Sequence, residues 1–165
     1  VAKLFGARVI ATASTDAKRA ACLEEGADHA IDYRGGFVDA VKALTGGAGV
    51  DIVYDPIGDK VGDESMRCLA WGGRWLILGF LGGGPTAIRS NYLLIKGIDA
   101  IGVRLGGLNE SNPRLAIANM KVLTDLAGQG KLRPRISHRF PLDQTAQALQ
   151  AVIDRTVIGK AVVVS

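Results

Sequence analysis

Residues 9–26 read VIATASTDAKRAACLEEG, and this stretch decides the fold class. It opens with the run VIATA, which lacks polar alternation, as expected for a strand that is buried on both faces of a parallel sheet. Ser14 or Thr15 is then a suitable N-cap for a helix, and Gly26 is a typical helix stop. The stretch therefore predicts a strand followed by a helix, which is the repeating unit of α/β proteins.

The same alternation continues along the chain. Apolar runs of strand length are followed by helical patterns, and Gly, Pro, Asp or Asn separates them. Alternation this regular predicts an α/β fold with a doubly wound parallel sheet. The predicted strands are residues 9–13, 30–33, 50–54, 74–80 and 98–103, and the predicted helices are residues 15–25, 37–44, 65–70, 92–95 and 113–127.

The pattern changes after Gly130. Polar and apolar residues alternate over residues 135–140, which predicts a half-exposed strand. Asp143 then begins a helical pattern, and residues 161–164 form a final apolar run. These features predict a C-terminal strand-helix-strand tail that belongs to another layer or domain.

Composition excludes several classes of protein. The chain has 165 residues with 48% hydrophobic and 22% charged residues, which is enough to bury a core. Its net charge of +4 is scattered, which argues against a nucleic-acid partner. No apolar run approaches the roughly 18 residues of a membrane span. The two cysteines suit a reducing compartment, so we expect a cytoplasmic protein without a membrane partner.

The first residues look like the end of a longer element. Val1 to Phe5 has the character of a last helical turn, with Gly6 as a left-handed cap. A helix this short is marginal on its own, because isolated helices need about 12–15 residues. We therefore expect the sequence to be a piece of a longer protein.

The residues that follow each strand are the candidate ligand site, because open parallel sheets bind ligands at the carboxyl ends of their strands. After the first strand stand Ser14 and, one helical turn later, Lys18. A hydroxyl with a lysine suits a 2′-phosphate, whereas a carboxylate would repel it. The alternative is that Ser14 only caps the helix, that Lys18 is a solvated surface charge, and that Tyr33 after the next strand is a half-buried aromatic residue.

Other kinds of site have little support in the sequence. His29 and His138 share no ligand spacing with Cys22 or Cys68, so we expect no metal site. No histidine lies in a recognisable nucleophile context, and we name no catalytic residue. The glycines at 46–49 precede a strand instead of following one, which favours a turn over a phosphate-binding loop.

Several segments together resemble one family. Residues 8–20 (RVIATASTDAKRA), 25–33 (EGADHAIDY), 51–58 (DIVYDPIG), 140–142 (FPL) and 159–164 (GKAVVV) are similar, in order and spacing, to the zinc-independent quinone oxidoreductases of the medium-chain dehydrogenase/reductase superfamily. The resemblance implies a reductase that passes hydride from NADPH to a quinone or a related enone. It covers nearly the whole chain.

The resemblance also implies a set of cofactor-binding residues. In the family a Ser or Gly, a Lys four residues later and a Tyr on the next strand surround the adenosine 2′-phosphate, and an arginine before the C-terminal strand approaches the cofactor. Backbone groups after two further strands lie near the nicotinamide and its ribose, where missing side chains permit close approach. In this sequence these positions are Ser14, Lys18, Tyr33, Ile57, Gly58, Phe80, Gly82, Gly83 and Arg155.

The family's domain organisation implies that this chain is a C-terminal fragment. Residues 1–130 would be an incomplete dinucleotide-binding domain of the Rossmann type, without its first strand and glycine-rich loop. Residues 131–165 would return to a catalytic domain that precedes residue 1. Since the absent strand would lie between the strands at 9–13 and 50–54, we expect a gap in the sheet, and we expect the isolated fragment to be inactive.

The sequence is compatible with two other functions. Asp55 at a strand end has a superficial likeness to the phosphoacceptor of a receiver-type signalling module, although the acidic cluster such modules need is absent after the first strand. Residues 98–103 could be an edge strand that pairs with its twin, as in a non-catalytic dimerising α/β domain. The family's cofactor domains commonly form such homodimers, so this interface is compatible with the reductase as well.

Overall fold

The computed structural model describes residues 1–165 and confirms the α/β fold class with parallel strands. Short 3-10 turns occupy Ala2–Phe5 and Leu142–Gln144. The strands are β1 (Ile10–Thr12), β2 (His29–Ile31), β3 (Val50–Asp55), β4 (Leu69–Ile77), β5 (Asp99–Gly102), β6 (Ile136–Pro141) and β7 (Lys160–Val164). The helices are α1 (Asp16–Glu24), α2 (Val38–Leu44), α3 (Asp59–Cys68), α4 (Ser90–Lys96), α5 (Leu105–Ser111), α6 (Pro113–Gly128) and α7 (Thr145–Ile153).

The strands form three separate parallel sheets. β1 pairs with β2, β4 lies between β3 and β5, and β6 pairs with β7. β1 and β3 therefore share no hydrogen-bonded ladder, which is the gap in the sheet that the family resemblance predicts.

The chain divides into two compact units. One unit is Val9–Ala116, and the other combines Val1–Arg8 with Ile117–Ser165. In the second unit, β6, α7 and β7 form a strand-helix-strand arrangement, as predicted for the tail, and Ala148 of α7 is its buried apolar residue.

Two apolar clusters form the core of the Val9–Ala116 unit. The first consists of Phe37, Val38, Val41 and Cys68, against which Ile10 and Ile31 of the β1–β2 sheet and Val50 of β3 pack. The cluster thus joins the two sheets through side chains. Burial raises the pKa of the Cys68 thiol to about 11, so this thiol stays protonated at neutral pH. The second cluster consists of Met66, Leu69, Trp75 and Ile98, on the β3–β4–β5 sheet.

The junction of α3 and β4 differs from the prediction. The sequence pattern predicts a helix to residue 70 and a strand from Arg74, but α3 ends at Cys68 and β4 begins at Leu69. The register of β4 shifts against β3 between Val50 and Ile52, because Gly72 takes a φ of 71° and lets the strand bulge. Gly72 and Gly73, which separate the predicted helix from the predicted strand, therefore lie at a bulge within β4.

No helix of the structure is both long enough and apolar enough to cross a membrane.

Candidate functional site

Asp55, the last residue of β3, holds the turn that follows it. Its Oδ1 accepts hydrogen bonds from the backbone N–H groups of Ile57, at 2.8 Å, and Gly58, at 3.0 Å. Its Oδ2 accepts a hydrogen bond from Nε1 of Trp75 on β4, at 3.1 Å. Asp55 is only 3% exposed, so these three donors fix a buried carboxylate in one position. Since both oxygens are engaged, this carboxylate is unsuited to receive a phosphoryl group, which argues against the receiver-type alternative.

The loops that follow β3 and β4 are bonded to each other. Backbone N–H groups of Leu81 and Gly82 donate to the carbonyls of Pro56 and Ile57, at 3.1 and 2.8 Å. In return, the N–H of Asp59 donates to the carbonyl of Gly84, at 3.1 Å. The two loops thus form one surface at the carboxyl ends of β3 and β4.

This surface needs glycine where the sequence has it. Gly58 has a φ of 70°, and a Cβ at this position would lie 2.6 Å from the Gly84 carbonyl oxygen and 2.9 Å from Cδ1 of Phe80. A Cβ on Gly82 would lie 2.9 Å from the carbonyl oxygen of Ile57. The structure therefore brings together Ile57, Gly58, Phe80 and Gly82 of the predicted site. Gly83 closes the turn by donating its N–H to the Phe80 carbonyl, at 3.2 Å.

A second group of predicted residues lies where β1 and β2 end. The last Cα pair of these parallel strands is Thr12 with Ile31, and Ser14 and Tyr33 each follow two residues later at the same edge. Thr15, not Ser14, is the N-cap of α1, because its Oγ1 accepts from the Lys18 N–H at 3.2 Å. The Ser14 hydroxyl is thus not used as a cap, contrary to the alternative interpretation of this residue.

Tyr33 and Lys18 are both half-buried. The Tyr33 ring packs against the first core cluster. Tyr33 is therefore a half-buried aromatic residue, as in the alternative interpretation, and its part in cofactor binding stays a prediction. Lys18 lies in the first turn of α1, which begins four residues after the last residue of β1.

An ion-pair network that was not predicted from the sequence lies at this edge. Asp32 receives hydrogen bonds from Nε and Nη2 of Arg34, at 3.0 and 2.6 Å, and Arg19 Nη1 lies 3.1 Å from Asp32 Oδ2. Arg19 also donates to the carbonyl of Ala13, at 3.2 Å, and bonds Asp16. The hydrogen bonds from Arg34 hold the pKa of Asp32 well below its usual range. The signal was available in the sequence as Asp and Arg on either side of Tyr33.

Two further arginines, of which Arg155 is a predicted cofactor-binding residue, follow the ends of α7 and β5. Arg155 belongs to the other compact unit, where it follows Asp154, the C-cap of α7, with a φ of 57°, and its role stays a prediction. Arg104, after β5, pairs with Glu110 of α5 at 2.9 Å.

Comparison with known proteins identifies what this arrangement is similar to. A family model described as zinc-binding dehydrogenase matches residues 1–121. Quinone oxidoreductase-like protein 2 of Rattus norvegicus is 35% identical over 158 residues, which are 95% of this chain and 45% of that protein. The 2-haloacrylate reductase of a Burkholderia species is 33% identical over 171 residues, covering 98% of this chain and 49% of the reductase.

A solved structure agrees with these relatives. The crystal structure of Escherichia coli quinone oxidoreductase complexed with NADPH superimposes with a TM-score of 0.86 at 26% identity, and the match covers 99% of this chain and 51% of that chain. The chain therefore spans about half the length of the relatives it matches.

Proposed function

The chain belongs to the zinc-binding dehydrogenase family, and we propose that it is the cofactor-binding part of an NADPH-dependent oxidoreductase that transfers hydride to a quinone or a related enone. The names of the relatives support this reaction class, because quinones and haloacrylates are both electron-poor acceptors. In this proposal, residues 1–130 form the dinucleotide-binding domain, and residues 131–165 return to a catalytic domain of the longer protein.

The observation that carries the choice of NADPH is the edge shared by β1 and β2. Thr15 caps α1, so the Ser14 hydroxyl is not used as the cap of the helix whose first turn carries Lys18. A phosphate on the adenosine ribose needs neutral donors and cations and is repelled by an unpaired carboxylate. The carboxylate of Asp32 at this edge is paired with Arg19 and Arg34, which reduces that repulsion.

The bonded loops after β3 and β4 would position the reacting end of the cofactor. When bound, the nicotinamide would supply the hydride, and solvent would supply the proton that completes the reduction of the acceptor. The backbone at Gly58 and Gly82 would permit close approach of a flat ring, and Phe80, which is 50% exposed, would exclude water from one side. Asp55 acts as a positioning residue, since it holds the turn without facing the ligand.

The family is described as zinc-binding, but the side chains of this chain do not suit a zinc site. A structural or catalytic zinc site needs three or four side chains of His, Cys, Asp or Glu close together. No group of three such side chains in residues 1–165 could hold a metal ion. The residues of this chain do not fit a zinc site, and the proposed reaction uses no zinc at these residues.

Binding of the adenosine end of the cofactor tests this proposal directly. We expect adenosine 2′,5′-bisphosphate to bind at least about tenfold more tightly than ADP, because only the former carries the 2′-phosphate and charge-assisted contacts contribute about 1.5–3 kcal/mol. The measurement is isothermal titration calorimetry. Equal affinity for the two ligands would rule out an NADPH-selective site.

We further propose that the protein is a homodimer through β5. All four residues of β5 are exposed, and the strand pairs with β4 on one side only. An unpaired edge strand invites pairing with a second copy. Ile101→Asp should reduce the mass measured by light scattering to that of a monomer, whereas Ile117→Asp, in exposed α6, should leave it unchanged. A dimer that persists in the Ile101 variant would contradict this interface.

A further inference from the structure

A small pocket lies where the strands of the β3–β4–β5 sheet begin. β3 begins at Val50 and β4 at Leu69, so this edge is opposite to the one that carries the bonded loops. The pocket has a volume of about 210 Å³. Three cations line it, Lys42, Arg67 and Lys96, and no carboxylate does.

The charge of this pocket distinguishes it from the larger one in the same unit. A hollow of about 480 Å³ beside α3 is lined by the carboxylates of Asp59, Asp63 and Glu64 as well as by cations. One of its cations, Arg89, lies 3.6 Å from Asp63. An anion would meet repulsion there, whereas the smaller pocket offers only positive side chains.

The three cations lie in the last turns of α2, α3 and α4, where basic side chains often bond the final carbonyl groups of a helix. The final carbonyl groups of α2 already accept hydrogen bonds from the backbone. The carbonyls of Val41, Lys42 and Ala43 accept hydrogen bonds from the N–H groups of residues 45–47. The Lys42 ammonium group is therefore not needed to complete its own helix.

Lys96 fills the corresponding role for α3. Its Nζ donates to the carbonyls of Arg67, at 2.9 Å, and Leu69, at 2.7 Å. These bonds fix Lys96 in the pocket and satisfy the end of α3. The side chains of Lys42 and Arg67 make no hydrogen bond or ion pair with the rest of the chain.

The positive charges of the three side chains repel one another, which raises the free energy of the protein without a bound anion. Burial lowers the pKa of Lys96, and the positive charges of Lys42 and Arg67 lower it further. A bound anion would replace this repulsion by attraction, and two cations without partners can turn toward it.

Trp71 provides a flat apolar surface at the pocket. Its side chain lines the pocket and is 78% exposed. The indole lies beside Gly97, since a Cβ there would be in van der Waals contact with the ring, at 3.7 Å. An exposed ring beside a cation cluster suits stacking with a planar group.

We propose that Lys42, Arg67 and Lys96 form a binding site for a phosphate group, which is either free phosphate or the phosphate of a small monoester whose ring stacks on Trp71. Arg67 would donate two parallel hydrogen bonds, and the two lysines would add point charges. The site is separate from Ser14, Lys18 and Tyr33 and does not depend on the cofactor assignment.

Trp71 fluorescence tests the site with inorganic phosphate, uridine 5′-monophosphate and uridine as probes. The only other tryptophan, Trp75, is 1% exposed, so a change in emission on titration reports Trp71. We expect saturation with both phosphates, at concentrations up to about 10 mM, and none with uridine. Tighter binding of the nucleotide than of phosphate would identify a ring-bearing ligand, and equal binding would identify free phosphate. Either result supports the site.

Two double variants, each of which removes two positive charges, test the site further. Lys42→Ala/Arg67→Ala should weaken phosphate binding at least about tenfold, whether read by fluorescence or by broadening of the phosphate ³¹P resonance. Arg114→Ala/Lys131→Ala removes the same charge from exposed positions outside the pocket and should change nothing. Circular dichroism verifies folding of each variant. Absence of saturation, or equal weakening in both pairs, would overturn the proposal.

Discussion

Replacing Asp55 by alanine should lower the free energy of unfolding by about 2–6 kcal/mol, since two of the three donors that would lose their acceptor are buried and each buried unsatisfied group costs about 1–3 kcal/mol. The donors are the N–H groups of Ile57 and Gly58 and Nε1 of Trp75. A loss of this size is comparable to the whole stability of a small domain, about 5–15 kcal/mol. Urea unfolding followed by circular dichroism gives the value.

Asp51→Ala is the matched control, because Asp51 is an exposed aspartate on the same strand. Its effect should stay within about 0.5 kcal/mol. If Asp55→Ala prevents folding, the free energy of unfolding of Asp55→Asn can be measured instead. The Asn side-chain oxygen can accept from the N–H groups of Ile57 and Gly58, but its NH₂ group faces the Trp75 N–H, so only the Trp75 donor loses its acceptor. A stability of Asp55→Ala equal to that of Asp51→Ala would mean that the turn does not depend on this carboxylate.

Lys18→Ala should reduce the affinity for adenosine 2′,5′-bisphosphate about ten- to a hundredfold, because a charge-assisted phosphate contact contributes roughly 1.5–3 kcal/mol. The affinity for ADP, which lacks the 2′-phosphate, should change little. In the full-length reductase that we propose, the same difference should appear between NADPH and NADH. Calorimetry on the wild type and the variant gives both ratios.

Lys131→Ala serves as the control for a simple change in net charge, since Lys131 is exposed in the other unit. It should leave both affinities unchanged. If Lys18→Ala weakens both adenosine ligands equally, the lysine contributes a general charge and does not recognise the 2′-phosphate.

The sequence predicted the alternation of strands and helices because apolar runs and caps are local signals. It failed where the outcome depended on distant packing. The glycines at 72 and 73 are compatible with a helix end or a bulge, and only the pairing of β4 with β3 decides between them. α5 was not predicted, since its sequence LGGLNES combines two glycines with few helix-forming residues.

The candidate site was predictable in part for the same reason. Strand ends pointed to Ser14, Tyr33, Ile57 and Phe80 because parallel strands end at one edge. The partners of Asp55 were not visible, since Trp75 is twenty residues away and meets it only through strand pairing. An Asp two residues before a turn N–H is nevertheless a known local motif, so its bond to Ile57 could have been anticipated.

The separation of the two strand ladders leaves β1 and β2 attached to β3 by side chains alone. The first core cluster makes this connection, through Ile10 and Ile31 on one side and Val50 on the other. Within this chain, the β1–β2 pair can therefore open locally by breaking side-chain packing, without loss of any interstrand hydrogen bond to β3. β4, by contrast, is paired on both sides and cannot leave its sheet without breaking two ladders.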